Sequence, residues 1–426
     1  MNNKQIDKLG EQLVIQDNQS NNEALMQLQA FRKSFQEPLA EVFAFVLHNA
    51  RKIDKQCVVT YRIKRIDTII DKIKRYHNNP NGAMKLSRMW DIAGCRCIFS
   101  SNEESKLYKL LEIINNEYGG TCKVNDYIKE PKESGYRCIH IYVKDHKSNK
   151  PIEIQIRNTE QHNWATLVEI IDVLYNTKEK FSTEQDDLGR FLSLYSRRLD
   201  DLSPDEYNQL ISIEKKRKIF ETMSSRITNN NINIRKQWLS IQKNGAYYVI
   251  EANRQTTQIE SYKTFTQAEN AYFQKYLSDN EFNIVLTHIP NATFEVISMA
   301  YSNYLLSMHA FFDDFRKLVS EHILSDIQNH NLLQLHKNFN LYKRNSICHW
   351  RNLKQEILQM IYAHQTNTNK SQLKKWEKKL QMQVMQWGEE TKKMVRKVAL
   401  ASNNSVLLRG YLKYRFNKLS KLLSKV

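Results

Sequence analysis

Between Pro151 and Arg157 the chain alternates polar and apolar residues without a break. Ile152, Ile154 and Ile156 fall on one side, and Glu153, Gln155 and Arg157 on the other, which is the period of a half-buried strand. The stretch before it repeats the pattern, with Ile139, Ile141 and Val143 on one face and Tyr136, Cys138 and His140 on the other. The polar linker Asp145–Lys150 has turn composition, so the two stretches read as a β-hairpin. The loop Lys129–Gly135, with two lysines, a proline and a glycine, leads into it and could hold phosphate. On pattern alone, a hairpin with a solvated polar face accounts for all of this.

The rest of the chain reads mainly as helix. Residues 1–20 are polar and read as a frayed terminus. Asn22–Lys52 is helical in pattern, with a new turn at Pro38. Thr60–Tyr76 reads as one amphipathic helix, with Ile63, Ile66, Ile70 and Ile73 as its buried stripe and Lys64, Thr68 and Lys72 on a second face. A cationic row of that kind suits a triphosphate, although most such rows are simply solvated. Asn78–Gly82 reads as a turn, Met84–Trp90 as a short helix or loop, and Ile92–Ser100 as a buried strand with Asp91 at its mouth. Ser105–Tyr118 is a helix closed by Gly119-Gly120, and Glu160–Tyr175 another. Phe181–Asn230 reads as a charged helical connector. Strands follow at Tyr247–Glu251, Thr257–Tyr262 and Ile284–Ile289, with a helix at Phe265–Leu277 and a long helix at Phe294–Ile323. Residues 325–426 read as all-helical, with a polar break at Gln365–Lys370. The expected class is α+β: a mixed β-sheet, nucleotidyltransferase-like synthetase domain flanked by helices, then a small ββαβα domain and an all-α region. The corresponding boundaries are 1–55, 56–180, 181–235, 236–324 and 325–426.

Composition narrows the function classes. Of 426 residues, 41% are hydrophobic and only 10 are Gly and 6 Pro, enough apolar material for two or three helix-rich domains. No apolar run suits a membrane span or a leader, so a cytoplasmic protein without membrane contact is expected. The six cysteines show neither CxxC pairs nor zinc-type spacing and read as reduced packing thiols. Net charge is +18, and from Ser371 to Val426 there are 14 Lys and Arg against three Glu. That asymmetry points to a polyanion such as RNA, while the ordinary explanation is a solvated helical face. Trp350, Trp376 and Trp387 lie among these lysines and could stack bases, but helix-core packing is the default for them.

Three blocks, in order, resemble the synthetase domain of the RelA/SpoT family of alarmone synthetases: Tyr61-Arg62-Ile63-Lys64 with Ile69 and Lys72, Asp91–Arg96, and Asp126–Arg157. The resemblance implies transfer of the β,γ-pyrophosphate of ATP to a ribose 3′-hydroxyl, with Mg²⁺. It implies Arg62, Lys64, Thr68, Lys72 and Arg96 for ATP, and Asp91 and Glu153 for Mg²⁺. Glu153, assisted by Gln155, is the implied base. Lys129, Lys132, Tyr136, His140 and Arg157 are the implied acceptor-binding residues, with Tyr136 as the flat platform for the acceptor base. Cys138 and Asn158 depart from the small alarmone synthetases, as does the missing Glu-His pair in the next helix. The wording around Trp164–Glu169 looks closer to a toxic branch that acts on tRNA. The acceptor is therefore either GDP or GTP, or the 3′ end of tRNA, and a catalytically degenerate binding module is the reading from another class. No His-Asp hydrolase motif occurs in residues 1–60, so an enzyme that only synthesises is expected. Residues 300–304 add a resemblance to the regulatory domain of toxin-like members.

Overall fold

A computed structural model of the chain describes residues 1–15, 22–77, 84–119, 122–175, 186–197, 202–224, 234, 237–238, 240–241, 245–252, 257–278, 283–301, 309–366 and 370–402. The chain divides into two units, one of residues 1–173, 178–196 and 240–305, the other of residues 174–177, 197–239 and 306–426. The expected turn at 78–82, Gly120, Ser302–Tyr304, much of the polar break at 365–370 and the basic residues beyond 402 lie outside the described residues.

The first unit is built on one mixed sheet. Its strands are β1 (Val58–Ile63), β2 (Ala93–Phe99), β3 (Lys123–Asp126), β4 (Ile139–Lys144), β5 (Pro151–Asn158), β6 (Tyr247–Ala252), β7 (Thr257–Tyr262) and β8 (Asn283–His288). The order across the sheet is β3-β4-β5-β2-β1-β8-β6-β7. β2 and β5 pair in parallel, and the other neighbours are antiparallel. The helices of this unit are α1 (Asn3–Ile15), α2 (Asn22–Lys33), α3 (Gln36–Ile53), α4 (Ile66–Tyr76), α5 (Glu104–Tyr118), α6 (Thr159–Tyr175), α7 (Asp187–Tyr195), α9 (Phe265–Ser278) and α10 (Phe294–Ala300); α8 (Pro204–Arg217) belongs to the second unit.

The expected hairpin forms, with β4 and β5 in register from Ile139↔Ile156 to Lys144↔Pro151. Ile139, Ile141, Val143, Ile152, Ile154 and Ile156 are all fully buried, in one core with residues of α3 and α5. Each such side chain contributes about 1.5–3 kcal/mol on leaving water. A slip of one residue would exchange that face for the polar one, so this burial fixes the register that places Glu153 and Gln155.

Several expectations are corrected. Thr60–Tyr76 is not one helix. Val58–Ile63 is a strand, as its β-branched and aromatic residues favour. Arg65 is extended at the helix N-cap (φ −62°, ψ 148°), and α4 begins at Ile66. Lys64 therefore sits in the strand-to-helix turn. Residues 3–15 are not frayed: α1 forms, and Ile6, Leu9 and Leu13 are buried in the core; residues 16–20 lie outside the described residues. Tyr136 and Cys138 precede β4 instead of belonging to it. The helix expected over 294–323 is interrupted, since the helix from Phe294 ends at Ala300 and Tyr301 leaves helical geometry (φ −132°, ψ 36°); residues 302–308 lie outside the described residues.

The ββαβα segment forms as strands and helix but not as a sheet of its own. β8 pairs with β1 (Tyr61↔His288, Arg62↔Thr287), so β6–β8 extend the same sheet. Residues 284–287 of β8 are buried on both faces, as suits a central strand.

The second unit is helical in its described residues: α8, then α11 (His309–Gln328), α12 (Leu332–Thr366) and α13 (Lys370–Ser402). Phe220 packs among Phe311, Phe312 and Phe315. The Tyr207 hydroxyl donates to Asn338 (3.0 Å), whose amide donates to Asp326 (2.7 Å). Trp350, Trp376 and Trp387 are buried, with Trp350 and Trp387 stacked 5.0 Å apart. They are helix core and present no free face to a base. Lys374, Lys375, Lys378, Lys379, Lys392, Lys393, Arg396 and Lys397 lie exposed on α13. Among the described residues no helix is long and apolar enough to cross a membrane. All six cysteines are unpaired, and all but Cys122 are buried.

Candidate active site

Strand register assembles the polar face. Arg62 stands beside Gly94, Gly94 beside Glu153, and Glu153 beside Tyr142, one row across four strands. The next row runs Thr60, Arg96, Gln155, His140. Cross-strand partners share a face, so both rows open on the same side. Gly94 keeps the first row low: a Cβ there would stand 2.8 Å from the Glu153 carbonyl oxygen.

At the mouth of β2, Asp91 holds two ammonium groups. Lys64 Nζ lies 2.9 Å from Oδ2, and Lys72 Nζ lies 2.9 Å from both carboxylate oxygens. Lys64 reaches it from the turn before α4, and Lys72 from the second turn of α4. Burial pushes the Asp91 carboxyl up, but the two lysines outweigh it and hold it at about 2. Burial, opposed by Asp91, draws Lys64 below its ordinary value.

On β4 and β5 a second group is hydrogen-bonded in series. His140 Nδ1 lies 2.8 Å from Glu153 Oε1, the Gln155 amide donates to Glu153 Oε2 (3.0 Å), and the Tyr136 hydroxyl lies 2.8 Å from His140 Nε2. Burial opposes charge on His140, yet the Cys138 sulfur and the Glu153 carboxylate raise it to about 9. Burial likewise raises Glu153, but His140 more than offsets this, and its carboxyl ends below the usual range. Both groups are therefore charged at neutral pH.

The other expected residues are placed unequally. Arg96 is held by the Ala300 carbonyl (2.9 Å), and burial together with Arg157 and Arg62 lowers it to about 10. Arg157 shares the Glu153–Gln155 face but is 3% exposed. Lys132 lies over Tyr127 (4.5 Å) and Tyr136 (5.5 Å). Lys129 lies instead over Tyr108 (5.1 Å). The Thr68 hydroxyl donates to the Arg65 carbonyl (3.0 Å) at the start of α4.

Three further aromatic rings line this face. Tyr127 meets His140 edge-on (5.3 Å), Tyr142 faces Glu153 in the register, and Trp90 meets Tyr142 (6.2 Å). Alternation with His140 along β4 could have pointed to Tyr142; Tyr127 and Trp90 come in by tertiary packing. Gly135 (φ +88°) adopts a conformation suited to glycine and lies against Ser196, whose carbonyl accepts from Arg137. Trp164, tilted beside Tyr136 at 6.2 Å, donates to the Leu192 carbonyl (2.9 Å). The segment 192–196 thus backs the Tyr136 loop.

The acid set fits a divalent cation shared with a substrate. Mg²⁺ is commonly held by one or two carboxylates, with phosphate oxygens and water completing its shell. Asp91 and Glu153 are both ionised, and the Asp91 charge acts directly on Glu153. Among the described residues no group of three or more His, Cys, Asp or Glu gathers to hold a metal without substrate.

Residues 61–180 match the family model described as "Region found in RelA / SpoT proteins". Over 132 residues the chain is 31% identical to a guanosine-3′,5′-bis(diphosphate) 3′-pyrophosphohydrolase of Borreliella burgdorferi, covering 31% of this chain and 18% of that protein. It is 28% identical over 124 residues to the GTP pyrophosphokinase YjbM of Bacillus subtilis, covering 28% of this chain and 57% of that one. The chain thus spans less than two thirds of the length of these relatives. Among solved structures, small alarmone synthetase 1 of Bacillus subtilis bound to its product pppGpp aligns with a TM-score of 0.32 and 20% identity, over 45% of this chain and 97% of that chain.

Proposed function

We infer that the RelA/SpoT synthetase domain at residues 61–180 transfers the β,γ-pyrophosphate of ATP to the 3′-hydroxyl of a guanine nucleotide and releases AMP. The observation that carries this reading is the juxtaposition of a two-lysine, one-carboxylate cluster with a Glu153–Gln155–His140–Tyr136 chain on one sheet face.

The chemistry needs little covalent help and much placement. Lys64 and Lys72 each carry three donors. While bonded to Asp91 they retain donors for a triphosphate, and Arg62 and Arg96 add positive charge beside them. Mg²⁺ held by Asp91 and Glu153 would neutralise the polyphosphate and polarise its phosphoryl oxygens. Glu153, kept ionised, accepts the proton of the 3′-hydroxyl as the new oxygen–phosphorus bond forms at the β-phosphorus. The bond from that phosphorus to the α-phosphate oxygen breaks, and AMP leaves. Gln155 fixes one oxygen of Glu153 and His140 the other, so the carboxylate does not rotate. The Tyr136 ring, steadied by its hydroxyl on His140 and by Lys132, offers a flat face to the acceptor base.

A second reading rests on the exposed basic side of α13: the acceptor is the 3′ end of tRNA, and modifying it blocks translation. A third, a binding module without catalysis, lacks such support, because the charged residues of all three motif blocks are present. ATP labelled in its γ-phosphate, offered separately with GDP, GTP and deacylated tRNA, decides among them. Label is expected in the guanine nucleotide. Label in tRNA alone would replace this reading with the second, and label in none would remove the enzymatic reading.

A further inference from the structure

The turn carrying Lys64 is gripped from behind by side chains far away in sequence. Arg32 on α2 and Glu269 on α9 form an ion pair of 2.7 Å with both side chains fully buried. The same guanidinium donates from Nε to the Lys64 carbonyl (2.9 Å) and lies over the Tyr272 ring (4.5 Å). The Tyr272 hydroxyl in turn accepts from the Ile66 amide (3.0 Å). Arg65, between them, donates to Asn283 at the start of β8 (2.8 Å).

A buried ion pair is a poor way to gain stability, since apolar residues of the same volume commonly do as well or better. A guanidinium has one property those residues lack: a rigid fork that donates in two directions at fixed geometry. Here one direction is Glu269 and the other is the main chain of Lys64.

We propose that Arg32, Glu269 and Tyr272 are positioning residues for Lys64. They fix the Lys64–Ile66 turn and with it the place of the ammonium against Asp91 and against the triphosphate. This rests on the reading of Lys64 as a phosphate-binding residue. It also gives the segment 247–288 a part in nucleotide binding, through α9, that none of the motif blocks discloses.

The test compares the full-length protein with Tyr272→Phe and Arg32→Lys. Tyr272→Phe keeps the ring and removes only the acceptor for Ile66. Arg32→Lys keeps a cation for Glu269 but loses the second donation. Both are expected to raise the KM for ATP about tenfold while the acceptor KM and the circular dichroism spectrum stay as in the wild type. In a Lys64→Met background, Tyr272→Phe is expected to add nothing, because the residue it positions is gone. An unchanged ATP KM in folded Tyr272→Phe overturns the proposal. So does an equal further loss in the Lys64→Met background, which is the mark of a general structural role. Calorimetric binding of a non-hydrolysable ATP analogue gives the same comparison without turnover. A wild type that binds the analogue while the variants bind it equally well defeats the positioning role alone. A wild type that neither binds nor transfers defeats the functional reading, and the proposal with it.

Discussion

Replacing Glu153 by Gln is expected to lower kcat about a thousandfold, within the range for loss of a positioned proton acceptor, while ATP binding in the absence of divalent cation and the fold persist. The side chains are nearly isosteric, so the loss is chemical. The amide cannot take up the hydroxyl proton, and it places an NH₂ where Gln155 or His140 now donates to a carboxylate oxygen. The ionic partner that helps keep His140 charged also disappears. Steady-state rates at saturating ATP and acceptor, with analogue binding measured in parallel, check this. Activity within tenfold of the wild type would place the proton acceptor elsewhere.

Asp91→Asn is expected to cost about a hundredfold or more in rate, as removal of a charged group from such a site does, but with a distinctive accompaniment. Asp91 now holds the ammonium groups of Lys64 and Lys72. Without its charge both are released toward any anion that enters. Affinity for ATP in the absence of divalent cation should therefore stay level or rise, while turnover with Mg²⁺ collapses. Calorimetry with and without Mg²⁺ separates the two effects. A variant that loses metal-free ATP binding would make Asp91 an anchor for the lysine turn and nothing more.

The parts of this site that could be read from the sequence are those set by local pattern. On β5 one face is wholly buried, so alternation alone placed Glu153, Gln155 and Arg157 together. The same kind of reading failed at Lys64. Ile63, Ile66, Ile70 and Ile73 keep a helical spacing through a junction where the backbone passes from strand to helix. The β-branched run at Val58–Thr60 was the better guide. In α1 a polar composition hid the spacing of Ile6, Leu9 and Leu13. What sequence pattern cannot supply is pairing between distant segments. The strands of 247–288 were legible as strands, but not their addition to the open edge of β1. A truncation at residue 236 would therefore remove three of the eight strands of the sheet that carries the site. The Arg32–Glu269 contact spans 237 residues and leaves no local trace. Tyr127 and Trp90, too, belong to the site only because the sheet and its loops bring them there.

In this mechanism two phosphates move together from ATP to an acceptor held on the face of Glu153 and Tyr136. The most direct measurement is mass spectrometry of every nucleotide formed when the purified full-length protein is incubated with ATP, Mg²⁺ and GDP or GTP. AMP is expected in equal amount to an acceptor heavier by one pyrophosphate. ADP in place of AMP, or free phosphate with an unmodified acceptor, would contradict it.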